Sequence, residues 1–157
     1  MNISIIDIVV AAILVNTFVE FIILTFKRGG KYIREWYKNF KIGAYFMDII
    51  SAIIAVFLST ILTKNIKYQI LLVIIIGLLH DSIFGYFVKN SGIKTGVINL
   101  FKNYANEVGV TILIVDAIML VATLLFTYIL RYYLNREVTI LIGFIVFYIG
   151  LLIIYSF

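Results

Sequence analysis

Cysteine and proline are absent from this chain of 157 residues, and charged residues make up only 13% of it. Without cysteine the chain can form no disulfide, no reactive thiol and no zinc–thiolate site. A soluble domain of this length cannot bury the 64% of residues that are hydrophobic, because small domains keep much of their surface in water. The composition therefore excludes a soluble globular protein, a disordered chain and a disulfide-stapled module, and it leaves a polytopic membrane protein.

Several motifs that carry chemistry are also missing. The single histidine excludes a His-Glu-x-x-His zinc site, and Gly29-Gly30 stands alone rather than in a phosphate-binding loop. No Gly-x-Ser-x-Gly elbow and no potassium-filter sequence occur. We therefore expect no cofactor and no nucleic-acid partner, and we favour a protein that is not an enzyme.

Long apolar runs dominate what is present. A helix needs about 20 apolar residues to cross a bilayer, and five segments reach this length. They are residues 3–26, 42–63, 68–88, 110–131 and 137–157. These runs do not alternate polar with apolar residues, as the strands of a membrane barrel do. The sequence predicts an all-α polytopic bundle of about five spans that forms a single transmembrane domain over 1–157.

The basic residues are divided unevenly between the two sides of this topology. Loops 27–41 and 89–109 share one side and contain nine lysines and arginines, against four on the other side. Lysine and arginine favour the cytoplasmic side of a membrane. We therefore expect the N-terminus outside and the C-terminus in the cytoplasm.

Each of the two long loops contains an amphipathic stretch, 31–40 and 96–108, with apolar residues at helical spacing. We expect two cytoplasmic interfacial helices on an anionic lipid surface. The alternative is an aromatic belt with ordinary basic flanks. The residues predicted to contact the lipid surface are Lys27, Arg28, Lys31, Arg34, Trp36, Lys38 and Lys41.

An internal repeat is a further hypothesis. Lys38-Asn39-Phe40 resembles Lys102-Asn103-Tyr104, and each is followed by a glycine and then by an intramembrane aspartate, Asp48 or Asp116. The two units would run in parallel, each an interfacial helix followed by two spans. They cover residues 31–88 and 96–157. Chance matches in an apolar background are the alternative.

Glu20, Asp48, Asp81 and Asp116 are carboxylates that lie within four different predicted spans. With a rise of about 1.5 Å per residue, all four lie roughly 9–11 Å below the same surface. His80 adjoins Asp81. An aspartate at the centre of a membrane helix costs about 2.5–3.5 kcal/mol to insert, so four at one depth indicate a shared proton or ion site. A divalent metal would also suit carboxylates with one imidazole.

A structural role is the alternative for the same residues, and we favour it. Glu20 is long enough to extend toward the headgroups, and Asp48 and Asp116 lie where the helix dipole favours an anion. Hydrogen bonds between membrane helices average about 0.6 kcal/mol, so each aspartate could also serve to hold helices together.

One discontinuous pattern consists of His80-Asp81, the segment Asn99–Gly109 and Asp116, together with Ala44-Tyr45-Phe46 and Asp48. It resembles uncharacterised polytopic membrane proteins of nucleocytoplasmic large DNA viruses, over about residues 40–120. In that family the loop before Asn99 often contains a proline, which this chain lacks. The resemblance implies a protein of the virion's inner membrane or of infected-cell membranes, without a known activity. It carries over these family-like positions: His80, Asp81, Lys102, Tyr104, Glu107 and Asp116.

Two of these positions have local alternatives. Lys102 could reach Asp81 or Asp116 as a counter-ion. Glu107 could equally cap the N-terminus of the span that follows it, and we favour this second role.

Three functions follow from these patterns. The leading prediction is a structural membrane protein of a viral inner membrane, whose basic face binds anionic lipid, an acidic or capsid protein, or a second copy of the chain. The first alternative is a small proton or cation channel or transporter built on the four carboxylates and His80. The third is a lipid-modifying enzyme, which would need a cleft beside Asp81 and His80.

Overall fold

The structure is a computed structural model that describes residues 3–93 and 96–157. This described part of the chain is all α-helical, which confirms the predicted fold class. Its seven helices are α1 (Ile5–Thr25), α2 (Lys31–Phe40), α3 (Ile42–Leu62), α4 (Ile66–Asn90), α5 (Gly96–Val108), α6 (Thr111–Tyr133) and α7 (Arg136–Ser156).

Five helices, α1, α3, α4, α6 and α7, are long and apolar enough to cross a membrane. They match the five predicted spans, and the largest difference is that α4 is longer at both ends than the predicted 68–88. The chain is therefore an integral membrane protein. The large apolar residues left exposed on α4, α6 and α7 suit lipid contact, because lipid replaces water around these faces.

The three spans that start on the same side of the bundle, α1, α4 and α7, each have a polar residue at the N-cap position. Ser4 caps α1 in a capping box, in which the Ile6 N–H donates to Ser4 Oγ at 3.2 Å and the Ser4 N–H donates to Asp7 Oδ2 at 3.0 Å. Asn65 and Asn135 cap α4 and α7 with a single bond each, in which the side-chain Oδ1 accepts an N–H of the first helical turn. Such caps satisfy amide groups that have no partner within the helix.

Helix α1 is the centre of the bundle and packs against α3, α6 and α7. Small residues permit this close approach, since Ala11 and Ala12 are fully buried and a Cβ on Gly143 would lie 2.8 Å from Val10 Cγ2. Helix α4 packs against α6 and α3, and Gly77 makes room there for Leu120.

The two short amphipathic helices, α2 and α5, pack against each other, and we call them together the cap. Helix α2 also contacts α3, and α5 also contacts α4. Their apolar faces form a separate core with the end of α1 and the start of α3. Trp36 lies in this core, 2% exposed, with its ring 4.8 Å from the rings of both Phe40 and Phe101. The prediction that Trp36 contacts the lipid surface is therefore wrong, because the apolar face of α2 meets protein there.

The order of elements after α1 is one short helix and two spans, followed by the same series again. This is the element content predicted for the repeat of 31–88 and 96–157. The duplication itself stays a prediction.

Candidate functional site

The carboxylates of Glu20, Asp48, Asp81 and Asp116 all lie toward the cap end of the bundle, and we call them the acidic layer. Glu20 is near the end of α1, Asp48 and Asp116 are near the starts of α3 and α6, and Asp81 is in the later part of α4. The cap covers this end, so the layer lies between the packed interior of the spans and the cap.

Two tyrosines from the cap reach the acidic layer. The buried hydroxyl of Tyr37 donates a hydrogen bond to Asp48 Oδ2 at 2.7 Å. Burial, and then the nearby carboxylates of Asp48 and Glu20, raise the pKa of Tyr37 well above its usual value. The Trp36 indole N–H is turned toward the same Asp48 carboxylate but completes no hydrogen bond with it.

Tyr104, from α5, lies near acidic residues of three spans, α3, α4 and α6. Burial raises the pKa of its hydroxyl above the usual value, and the carboxylates of Asp116, Asp48 and Asp81 add to the rise. Tyr37 therefore lies within electrostatic range of Asp48 and Glu20, and Tyr104 lies within range of Asp48, Asp116 and Asp81, so the two tyrosines connect the four carboxylates at this end of the bundle.

Glu20 is the most unusual member of the layer. Its side chain is 0% exposed, and neither carboxylate oxygen has a hydrogen-bond partner among the described residues. One turn earlier, Asn16 donates to the Ala12 carbonyl at 2.8 Å, while its own Oδ1 is equally unpartnered in the described structure. Buried polar atoms are rarely left unsatisfied in folded proteins, so this pair marks a place that a proton or ligand can satisfy.

His80 and Asp81 form the outer part of the layer. His80 Nδ1 lies 3.0 Å from Asp81 Oδ1, and the exposed imidazole stacks on the ring of Phe84. The ring of Phe84 in turn meets Phe101 of the cap edge-on at 5.1 Å. The His80 imidazole is therefore in contact both with the half-buried Asp81 carboxylate and with the outside of the bundle.

The layer is spread across helices rather than gathered around one point. The described residues contain no group of three or more His, Asp or Glu side chains placed to hold a metal ion. Of two cavities formed by the described residues, neither is lined by Asp81 or His80, so the cleft that a lipid-modifying enzyme would need is not one of them.

Glu107 caps α2 rather than α6. Its Oε1 accepts the Lys31 N–H at 2.8 Å and its Oε2 accepts the Tyr32 N–H at 3.1 Å, and these bonds lower the pKa of its carboxyl group. The prediction that Glu107 caps the following span is therefore wrong. Helix α2 has no side-chain cap of its own, because Gly30 stands at that position. Lys102 pairs with neither Asp81 nor Asp116 within the described chain, so the counter-ion role is not seen either.

Most of the lysines and arginines predicted to contact the lipid surface do lie on the outside, on α2 or in the link that precedes it. Lys27, Arg28, Lys31 and Lys38 are exposed, and Arg34 donates to the Lys27 carbonyl at 2.9 Å. Lys41 is half-buried, with its ammonium 5.3 Å from the Tyr155 ring. Their contact with anionic lipid stays a prediction.

Sequence reasoning missed a second polar cluster at the end of the bundle opposite the cap. The buried Gln69 donates to the Thr63 carbonyl at 2.8 Å and accepts a hydrogen bond from the Tyr128 hydroxyl at 2.6 Å. The sequence signal for this cluster is Gln69 itself, a polar residue one turn inside an apolar span. It carries no charge, so attention to charged residues alone does not identify it.

Comparison of the chain with protein-family models, with curated proteins and with solved structures gives no match. The resemblance to membrane proteins of large DNA viruses therefore stays a prediction, and functional inference depends on the site itself.

Proposed function

We propose that this integral membrane protein takes up protons or monovalent cations in the acidic layer, as a small channel or transporter. The observation that carries the proposal is Glu20, whose carboxyl group is fully buried with both oxygens unpartnered among the described residues. An ionised carboxylate in such a place is very costly, so the group holds a proton or a cation.

The tyrosine neighbours that the four carboxylates share support this function over a purely structural one. Carboxylates that only join helices or point to headgroups have no need to share neighbours. Here Asp48 is near both Tyr37 and Tyr104, and each tyrosine is near a further acidic group. The exposed imidazole of His80 lies 3.0 Å from Asp81 and can both accept and donate a proton, so it suits the exchange of protons with the surroundings.

Flux through proteoliposomes tests the proposal. Wild-type protein is expected to carry protons or monovalent cations under an applied potential, and Glu20→Gln and Asp48→Asn are expected to lower the rate at least tenfold. The matched control is Glu137→Gln, which neutralises an exposed carboxylate on α7 and should leave the rate unchanged. Folded wild-type protein without flux under either sign of potential, or variants with undiminished flux, would refute the proposal.

The exposed cations of the cap favour a second function, that of a structural membrane protein. In this proposal Lys27, Arg28, Lys31 and Lys38 bind anionic lipid or an acidic protein, such as a capsid protein if the viral resemblance holds. Native mass spectrometry with phosphatidylserine should show more retained lipid on the wild type than on the variant in which these four residues are changed to glutamine. Equal retention by the variant would contradict it.

The same proposal places the cap in the cytoplasm. Because the chain has no cysteine, a single introduced thiol is an unambiguous label. Lys38→Cys should react with an impermeant maleimide only after cells are permeabilised, whereas Asn135→Cys should react in intact cells. The opposite pattern would invert the orientation.

A further inference from the structure

A polar cavity lies at the end of the bundle opposite the cap. Its volume is about 320 Å³, which is near the lower end of the range for ligand pockets. The start of α1, the end of α3, the first turn of α4 and the later part of α6 surround it. Its polar lining consists of Thr60, Lys64, Gln69 and Tyr128.

The amide of Gln69 is held in a fixed orientation inside this cavity. The side chain is 1% exposed, with its nitrogen bound to the Thr63 carbonyl and its oxygen bound to the Tyr128 hydroxyl. An amide nitrogen has two N–H donors, and the bond to Thr63 uses one of them. The second N–H remains for a ligand acceptor.

Lys64 supplies positive charge to the same cavity. Its ammonium group makes one long hydrogen bond, 3.4 Å to the Thr60 carbonyl, and no ion pair with a carboxylate of the described chain. An ammonium group has three donors, so at least two of them make no hydrogen bond within the described part of the chain. A buried amide N–H and an ammonium in one cavity favour an anionic ligand that accepts several hydrogen bonds.

The remaining lining is apolar, and part of it is exposed on the outside of the bundle. Ile5, Phe57 and Ile61 line the cavity and are also large exposed apolar residues, 50%, 42% and 55% exposed. The cavity lies at the ends of the spans, where the phosphates of a bilayer are found. A ligand that carries both a phosphate and hydrocarbon therefore fits this site better than a free anion does.

We propose that this cavity binds the phosphate of a phospholipid headgroup, with Lys64 and Gln69 as donors and with the acyl chains over Ile5 and Phe57. The site is separate from the acidic layer and does not depend on ion transport. Thr60, Gln69 and Tyr128 lie on α3, α4 and α6, and Lys64 lies in the link between α3 and α4, so a bound headgroup would hold these helices together.

Binding to the purified full-length protein tests the proposal, with dihexanoyl phosphatidylglycerol as the probe and native mass spectrometry or calorimetry as the readout. Dihexanoylglycerol, which lacks the phosphate, and inorganic phosphate, which lacks the chains, are the comparison ligands. The wild type should bind the phospholipid at least tenfold more tightly than either of them.

Variants locate the site. Lys64→Gln should weaken phospholipid binding at least tenfold, and Lys64→Arg should retain most of it. Lys67→Gln is the matched control, because it removes an exposed lysine at the same end that does not line the cavity, and it should change affinity less than twofold. Since Lys64 is exposed, its substitution leaves the interior packing intact.

Three results would overturn the proposal. Equal binding of dihexanoylglycerol would show that the phosphate is not recognised. Inorganic phosphate binding as tightly as the lipid would identify a free-anion site instead. Unchanged phospholipid affinity in Lys64→Gln, or an equal loss in Lys67→Gln, would place the ligand elsewhere.

Discussion

Tyr37→Phe tests the contact between the cap and the acidic layer, because it removes one hydroxyl group and keeps the ring. That hydroxyl donates to Asp48 Oδ2 at 2.7 Å from a buried position. A hydrogen bond to a charged group contributes about 1.5–3 kcal/mol to stability, and a bond between neutral groups contributes about 1 kcal/mol. We therefore expect the free energy of unfolding to fall by about 1.5–3 kcal/mol while Asp48 is ionised, and by about 1 kcal/mol when it is protonated.

Reversible unfolding in mixed micelles measures this loss, and the chain carries its own probe. Trp36 is the single tryptophan and is enclosed by Phe40 and Phe101, so its fluorescence reports on the cap. The control is Tyr148→Phe on α7, an exposed tyrosine, for which the change should stay within about 0.5 kcal/mol. Equal stability of Tyr37→Phe and the control would refute the assigned hydrogen bond.

The pH dependence of the same loss adds a second check. Burial and the Asp48 carboxylate raise the pKa of Tyr37, so its hydroxyl stays protonated and able to donate throughout the neutral and acidic range. Acidification can therefore change only the acceptor. The cost of Tyr37→Phe should shrink as Asp48 takes up a proton, and a cost that grows on acidification would contradict the assignment.

Three other substitutions test particular contacts. Gly77→Ala should be less stable than Gly85→Ala by about 1 kcal/mol in the same unfolding assay, because its Cβ would overlap the buried Leu120 side chain, whereas a Cβ on Gly85 meets open space and only adds helix propensity. Glu107 has a lowered pKa, so its bond to α2 is present above its ordinary pKa of 4.5 and is lost as the pH falls through the lowered value. Hydrogen exchange of α2 should show this transition in the wild type and not in Glu107→Gln. Gly30→Ala should also speed exchange in α2, since Gly30 has φ +94° and a Cβ there would lie 2.6 Å from Glu107 Oε2; unchanged exchange would show that the contact is not needed.

The five spans were predictable because their signal is local. Each needs only enough consecutive apolar residues to cross the bilayer, and residues such as Ser4, Asn65 and Asn135 mark where helices begin. The placement of the four carboxylates toward one end of the bundle was predictable for the same reason. Depth follows from the number of residues between a charge and the end of its span.

The lateral arrangement was not predictable, since it depends on how each helix is rotated and which neighbour it meets. An amphipathic stripe shows that a helix has an apolar face, but the stripe is the same whether that face meets lipid or protein. Trp36 therefore looked like a lipid-surface residue and lies instead against Phe101, from a segment far away in the chain. Likewise, Glu107 and the N-terminus of α2 are 75 residues apart, so no local pattern could join them.

The core between the two polar ends limits how an ion could cross the bundle. Between the acidic layer and the Gln69 cavity, the interior is filled by fully buried apolar residues, among them Ala12, Val56 and Leu124. The buried hydroxyls in this region, Thr123 and Thr127, already donate to carbonyls of their own helix. These residues provide no continuous path of polar groups between the two ends. An ion taken up at Glu20 must therefore leave along another route. The exposed apolar faces of α4, α6 and α7 could pack against a second copy of the chain. We therefore expect ion flux to require either association of protomers or a movement of α1 that opens the core.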